Sequence, residues 1–262
     1  MFDAQALSII ATPLLAGLLV IATHVPLGRE VLKRGIIFID LAVAQIAGLG
    51  VLIALMLDLE MGDWQTQVIA AVAALLGAAL IGMFERLWPE SQEALIGTTF
   101  VMAATGSLLL LAGDPHAGDH LTDLLAGQLL WVDSDQLAAV AAVYVPVLLL
   151  WFLLGPGRLR FYLLFAITVT ASVQLVGVYL VFSSLIIPAL AVRRLQGAAA
   201  MAVGYGLGAL AFAAGLLCSL WFDWPAGPTV VWMLALLGVV FATLISNCRC
   251  AVVIREGDTR EE

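Results

Sequence analysis

The chain is a succession of long apolar runs separated by short polar gaps. A hydrocarbon layer about 30 Å thick is crossed by roughly 20 helical residues, at 1.5 Å per residue. Runs of about that length cover residues 7–25, 36–57, 65–84, 94–113, 137–154, 198–221 and 229–246. The pattern predicts an all-α protein, a polytopic transmembrane helix bundle of eight to nine spans.

Residues 161–192 are too few for two full crossings, yet the charge pattern described next requires this stretch to begin and end on one side. We expect one crossing followed by a short or broken returning helix. Gly177 and Pro188 are the expected interruptions. Irregular backbone at membrane depth survives only where protein or a water-filled cavity satisfies its polar groups.

The eleven Lys and Arg residues all fall in alternate gaps between the apolar runs. Cytoplasmic loops collect these residues, so the gaps that hold them are expected to face the cytoplasm. The N-terminus is then outside and the C-terminus inside, with residues 1–246 as the transmembrane domain and 247–262 as a cytoplasmic tail. The residues are Arg29, Lys33, Arg34, Arg86, Arg158, Arg160, Arg193, Arg194, Arg249, Arg255 and Arg260.

Composition excludes an ordinary soluble domain, since 63% of the residues are hydrophobic, 11% are charged and the mean hydropathy is +1.09. The net charge of -8 arises mostly in the outer gaps, so we expect no nucleic-acid partner. Small residues recur at four-residue spacing, at Ala70, Ala74, Ala78 and Gly82 and again at Gly204 and Gly208. Such stripes predict close helix packing within the bundle, with a subunit contact as the alternative.

Asp40 is the carboxylate that the pattern places inside a span, about 9 Å beyond Arg34. A charge facing lipid there would cost several kcal/mol, so Asp40 should face protein or water and line a substrate route. The alternative is an ion pair with Arg29, Lys33 or Arg34.

Gln45 lies five residues further on, roughly 140° around the helix from Asp40, so the two do not share a face. They could approach a common axis across a dimer, or Gln45 could form an interhelical hydrogen bond. His24, near the inner end of the first run, is interpreted as a boundary side chain.

A second candidate metal site follows the fourth run. If the segment there is helical, His116, Asp119, His120 and Asp123 share one face at three- and four-residue steps. Imidazole and carboxylate together suit Zn²⁺ or Mn²⁺. A solvated acidic turn is the alternative.

Motifs for energy conversion are missing from the sequence. A nucleotide-binding loop of the GxxxxGK[ST] type needs a lysine to reach the phosphates, and the single lysine, Lys33, is followed by Arg34. Energy for transport must therefore come from a partner or from an ion gradient. A proton-coupled secondary transporter that uses Asp40, and a structural subunit of a larger complex, both stay open.

Three stretches carry a resemblance to a known family: RGIIFIDLAVAQIAGLGVLIAL, ASVQLVGVYLVFSSLIIPALAVRR and WPAGPTVV. Together they resemble the permease subunit of zinc/manganese-type bacterial ABC importers. The resemblance implies a homodimer in the bacterial inner membrane, cytoplasmic ABC ATPase subunits that bind ATP, and a periplasmic or extracellular metal-binding protein. The transported zinc or manganese is the substrate, and no permanently bound cofactor is expected.

The sequence departs from this family's pattern in two places. In the family, a second-span Asp near the dimer axis is followed four residues later by a His on the cation path; aligned on Gly50, those positions are Leu41 and Gln45, with Asp40 one residue early. Relatives also carry a longer cytoplasmic segment that docks on the ATPase, where this chain has only GPGRLR. We expect the loops at residues 85–93 or 193–197 to dock instead.

Overall fold

The computed structural model of the chain describes residues 4–56, 63–111, 127, 129–155 and 157–258. These residues form nine α-helices and two short 3₁₀ helices, at Pro89–Ser91 and Leu129–Trp131, and they contain no strand. The α-helices are α1 (Ala4–Arg34), α2 (Ile39–Met56), α3 (Asp63–Leu87), α4 (Gln92–Leu110), α5 (Ser134–Leu154), α6 (Arg158–Val176), α7 (Val178–Ala191), α8 (Gly197–Phe222) and α9 (Ala226–Asp258).

The helices confirm the prediction of an all-α membrane bundle. Within the described residues, seven helices are long and apolar enough to cross a membrane, and α2 and α7 are shorter apolar helices. The helix α9 continues as far as Asp258, so it includes most of the residues expected to form a tail. The division at residue 246 stays a prediction.

Basic residues gather at one end of the bundle, which we call the basic end. Glu85 at the end of α3 pairs with Arg34 at the end of α1 and with Arg158 at the start of α6. The helix α8 runs antiparallel to α1, because its Gly204 faces Val25 while the later Gly208 faces Ile21. The start of α8, next to Arg193 and Arg194, therefore lies at the same end.

The predicted interruption at Gly177 is confirmed. Gly177 separates α6 from α7 with φ 80° and ψ 162°, a conformation that residues with a side chain rarely adopt. The helix α7 then returns towards the basic end over 14 residues, about 21 Å, which is less than a full crossing.

The predicted interruption at Pro188 is wrong, because Pro188 lies inside α7. A proline removes only the backbone bond that its own nitrogen would make, and neighbouring helices can support the chain around it. The next turn is intact, since Val192 N–H donates to the Pro188 carbonyl at 3.1 Å. Packing against α1 and α9 holds α7 straight enough to continue.

The chain covers the break between α6 and α7 with its own backbone. A Cβ atom on Gly127 would lie 2.3–2.4 Å from the backbone of Val176 and Gly177. Only a glycine can approach the broken helix this closely, and the φ of Gly127 is also positive, at 67°. Leu129 and Val132 follow shortly after and are buried, so this segment packs over the bundle at the α6–α7 break.

The small-residue stripes pack within the chain, as the sequence predicted, except that Gly82 at the end of the α3 stripe is only half-buried. Ala70, Ala74 and Ala78 are buried on α3. On α8, a Cβ at Gly208 would lie 2.5 Å from Ile21 Cδ1, so α1 and α8 are in direct contact there. These glycines hold helices of one chain together.

Candidate functional site

The candidate site lies at the start of α2, where the chain turns back from α1. Gly35 makes the turn with φ 69°, and α2 begins at Ile39. The prediction of Asp40 about 9 Å along a helix is therefore wrong: residues 36–38 form the turn, and Asp40 lies in the first turn of α2. The free N–H groups of a helix N-terminus favour a carboxylate at this position.

A second carboxylate reaches the same helix terminus from α4. The Phe38 N–H donates to Glu93 Oε1 at 3.3 Å. The other oxygen, Glu93 Oε2, is buried without a hydrogen-bond partner among the described residues. Glu93 was not predicted, because it stands at the polar edge of an apolar run, where an acidic residue is ordinary.

Asp40 is buried without charge compensation. It is 1% exposed, and neither of its carboxylate oxygens has a hydrogen-bond partner among the described residues. The alternative of a pair with Arg29, Lys33 or Arg34 is wrong, since no cation contacts the Asp40 oxygens among the described residues. Lys33 Nζ lies 3.7 Å from Glu30, and Arg34 Nε donates to Glu30 at 3.1 Å. A carboxylate buried in protein without a counter-ion is costly, and such a group usually marks a functional position.

Two of the arginines at the basic end, Arg34 and Arg158, are held in an ion cluster around Glu85. Glu85 accepts from Arg34 Nη1 at 3.3 Å and from Arg158 Nε at 2.9 Å. The Arg34 guanidinium also lies over the Phe161 ring, 4.5 Å from its centroid. These contacts fix α1, α3 and α6 to one another and leave the Asp40 carboxylate out of the cluster.

Gln45 lies further along α2 than Asp40, and its side chain is 7% exposed. It is six residues beyond Ile39, about 9 Å along α2. Although the two side chains point in different directions, both are buried because α3, α4, α6 and α7 all pack around α2. In the single chain, both side chains are almost fully shielded from the surface.

His24 is a buried polar residue and not the boundary side chain that the sequence suggested. It is 0% exposed and lies ten residues, about 15 Å, before the end of α1. Thr23 Oγ1 donates to the Val20 carbonyl at 3.0 Å and lies 3.1 Å from His24 Nδ1. The buried Nε2 of His24 has no hydrogen-bond partner among the described residues.

A chain of hydroxyl groups continues from this position into α5 and α6. Ser172 Oγ donates to the Thr168 carbonyl at 2.6 Å, and it shares a hydrogen bond of 2.5 Å with the Tyr144 hydroxyl. Tyr144 and Thr23 also interact. The sequence pattern ended the first span at residue 25, whereas α1 continues to Arg34. This polar region was therefore taken for the end of the span and not for its interior.

The second predicted metal site, His116, Asp119, His120 and Asp123, lies outside the described residues. Among the residues that the structure does describe, no three His, Cys, Asp or Glu side chains converge as a metal-binding group.

Comparison with known proteins identifies the class of this helical membrane protein. The chain matches the ABC 3 transport family over residues 6–155 and 157–245. It belongs to that family, whose members are membrane transport subunits, and the resemblance to metal-type ABC importer permeases is confirmed. Its fold is similar to a chain in the structure titled "PsaBC from Streptococcus pneumoniae in complex with Fab", with a TM-score of 0.69, 22% sequence identity, and coverage of 88% of this chain and 89% of that chain.

Proposed function

We propose that the chain is the permease subunit of an ATP-driven importer for a divalent metal cation, zinc or manganese. The observation that carries this proposal is the uncompensated Asp40 carboxylate at the start of α2. A carboxylate that the fold leaves without a partner is available to a cation. Membership of the ABC 3 transport family favours this function over proton-coupled transport and over a structural role.

Manganese is the favoured ion within this proposal. The Asp40 carboxylate supplies oxygen donors, and Gln45, on another face of α2, offers a buried amide oxygen further along the helix. Carboxylate and carbonyl oxygens suit Mn²⁺, whereas Zn²⁺ favours imidazole and thiolate ligands. Both residues are enclosed, so a cation reaches Asp40 only after the helices around α2 move apart, which ATP hydrolysis by a partner would drive.

The partners and the orientation belong to the same proposal. The basic end faces the cytoplasm of a bacterium, where an ATPase dimer docks beneath two copies of the chain, and a binding protein delivers the metal to the opposite face. Only residues 155–157 separate α5 from α6, and Arg160 Nη1 donates to the carbonyls of Leu154 and Gly155 there. The ATPase therefore docks on another basic-end loop, at residues 85–93 or 193–197.

The test is the ATPase activity of the reconstituted complex in the presence of Mn²⁺, Zn²⁺ or Fe²⁺, with the binding protein supplied. Stimulation by Mn²⁺ above Zn²⁺ supports the proposal, and stimulation by none of the three ions contradicts it. A single cysteine placed at Trp88 or at Arg194 should crosslink to the ATPase. Tags beside Trp88 and Asp119 should be labelled from opposite sides of the membrane.

A further inference from the structure

A groove on the outside of the bundle lies between α3 and α6 at the basic end. Its volume is about 440 Å³. Its apolar walls include Ala79 and Gly82 of α3 and Leu159 and Leu163 of α6, and Arg86 and Arg158 also line it. Three of the α3 residues that line it are small, and at one of them the two helices approach closely, since a Cβ at Gly82 would lie 3.3 Å from the Tyr162 ring.

The groove has an apolar part and a charged end, which match the acyl chain and the headgroup of a membrane lipid. From Ala78 to Arg86 the wall of α3 extends eight residues, about 12 Å, from within the apolar span to its end. Ala79, Met83 and Leu159 are exposed, so this wall faces the hydrocarbon layer and not the core of the chain. An acyl chain fits the apolar part, and its headgroup then lies at the level of the two arginines.

The two arginines at the end of the groove favour a negatively charged headgroup. Arg158 is held by Glu85 through Nε, at 2.9 Å, and its side chain is still 48% exposed. Arg86 is exposed, and no ion pair is found for it among the described residues. Basic pockets between membrane helices bind anionic headgroups, because the phosphate gains charge-assisted hydrogen bonds there.

We propose that the groove between α3 and α6 is a binding site for an anionic phospholipid, with its phosphate on Arg86 and Arg158 and an acyl chain along Ala79 and Gly82. A lipid bound here would contact Arg158, which also forms the ion pair with Glu85 that ties α6 to α3. The site is separate from Asp40 and does not depend on which ion the chain transports.

Native mass spectrometry of the full chain in detergent tests the proposal, with phosphatidylglycerol and phosphatidylcholine of identical acyl chains as probes. Phosphatidylglycerol should bind more tightly. Arg86→Gln should weaken that binding about fivefold, equivalent to about 1 kcal/mol for one arginine near an anionic surface. Ala79→Leu, which fills the apolar part, should reduce the binding of both lipids.

Matched controls separate this site from general charge and hydrophobicity. Arg194→Gln removes the same charge from an exposed basic-end position outside the groove, and Ala202→Leu adds the same bulk at an exposed position on α8. Both controls should bind phosphatidylglycerol as the unaltered chain does. Equal binding of the two lipids, an equal effect of Arg194→Gln, or a loss of dimer mass in Ala79→Leu would each overturn the proposal, the last by showing a subunit interface.

Discussion

The Tyr205 hydroxyl on α8 donates a hydrogen bond to the Ala22 carbonyl on α1, at 3.3 Å. In an α-helix this carbonyl would accept from the residue four positions later, which is Pro26 and has no N–H. A tyrosine from the neighbouring helix thus takes the place of the missing backbone donor. The contact stands beside Thr23 and His24, so it also holds the polar region of α1 in position.

Tyr205→Phe is expected to destabilise the chain by about 1 kcal/mol, the usual scale for a hydrogen bond between membrane helices. In a Pro26→Ala background the same change should cost much less, because an alanine at this position restores a backbone donor to the Ala22 carbonyl. Unfolding in detergent, arranged as a double-mutant cycle, measures the difference. Tyr179→Phe, at a residue that is 53% exposed, is the control. An equal cost in both backgrounds would mean that Tyr205 stabilises the chain in some other way.

Gly208→Ala should destabilise the bundle by about 1–3 kcal/mol, the range for overpacking a filled core. The added Cβ would lie 2.5 Å from Ile21 Cδ1 and 2.9 Å from Ile21 Cγ1, so either the buried Ile21 side chain or the two helices must shift. Gly206→Ala is the matched control on the same helix, because nothing lies within 4 Å of its Cβ position. Thermal unfolding of the two variants gives the comparison, and equal melting temperatures would contradict the close contact.

The sequence predicted those parts of the fold that depend on hydrophobic length. A long apolar run has only helical solutions in a membrane, so the spans could be predicted, and Gly177 could be found as a residue suited to a break. Pro188 could not be resolved in the same way. Whether a proline interrupts a helix depends on the neighbours that support it, and those neighbours come from distant parts of the chain.

The candidate site was predictable only in part, for a related reason. Asp40 is conspicuous because it is a charge within an apolar run. The pairing of Arg34 with Glu85, which removes a counter-ion from Asp40, joins residues 51 positions apart and has no local signal. His24 was misplaced because α1 continues nine residues past the predicted end of the first span, at residue 25.

Gly177→Ala should cost about 1–3 kcal/mol, the usual penalty for a side chain in a sparsely populated backbone region. The φ of Gly177 is 80°, and the break also adjoins the close approach of Gly127. Gly97→Ala, inside α4 with nothing within 4 Å of its Cβ position, should instead be neutral or slightly stabilising. Unfolding curves in detergent distinguish the two. A neutral Gly177→Ala would show that the α6–α7 break tolerates an ordinary residue.

Asp40→Asn tests whether the buried carboxylate serves transport or folding. Since neither oxygen of Asp40 has a partner among the described residues, replacing it with a neutral group of the same shape should leave stability unchanged or raise it. Metal uptake should nevertheless fall, by at least about tenfold if the carboxylate meets the cation, which is the lower end of the effect of altering a group that supports metal binding. Thermal unfolding of the variant and metal uptake by vesicles that hold its reconstituted complex are measured on the same preparation.

Asp135→Asn makes the identical chemical change at an exposed position in the first turn of α5, and it should leave both measurements unaltered. If Asp40→Asn assembles and transports normally, the cation does not depend on this carboxylate. If it loses stability in proportion to its loss of uptake, Asp40 is a structural residue whose partner the bundle provides. A stable variant without transport is the result expected from a carboxylate that the fold leaves free for its substrate.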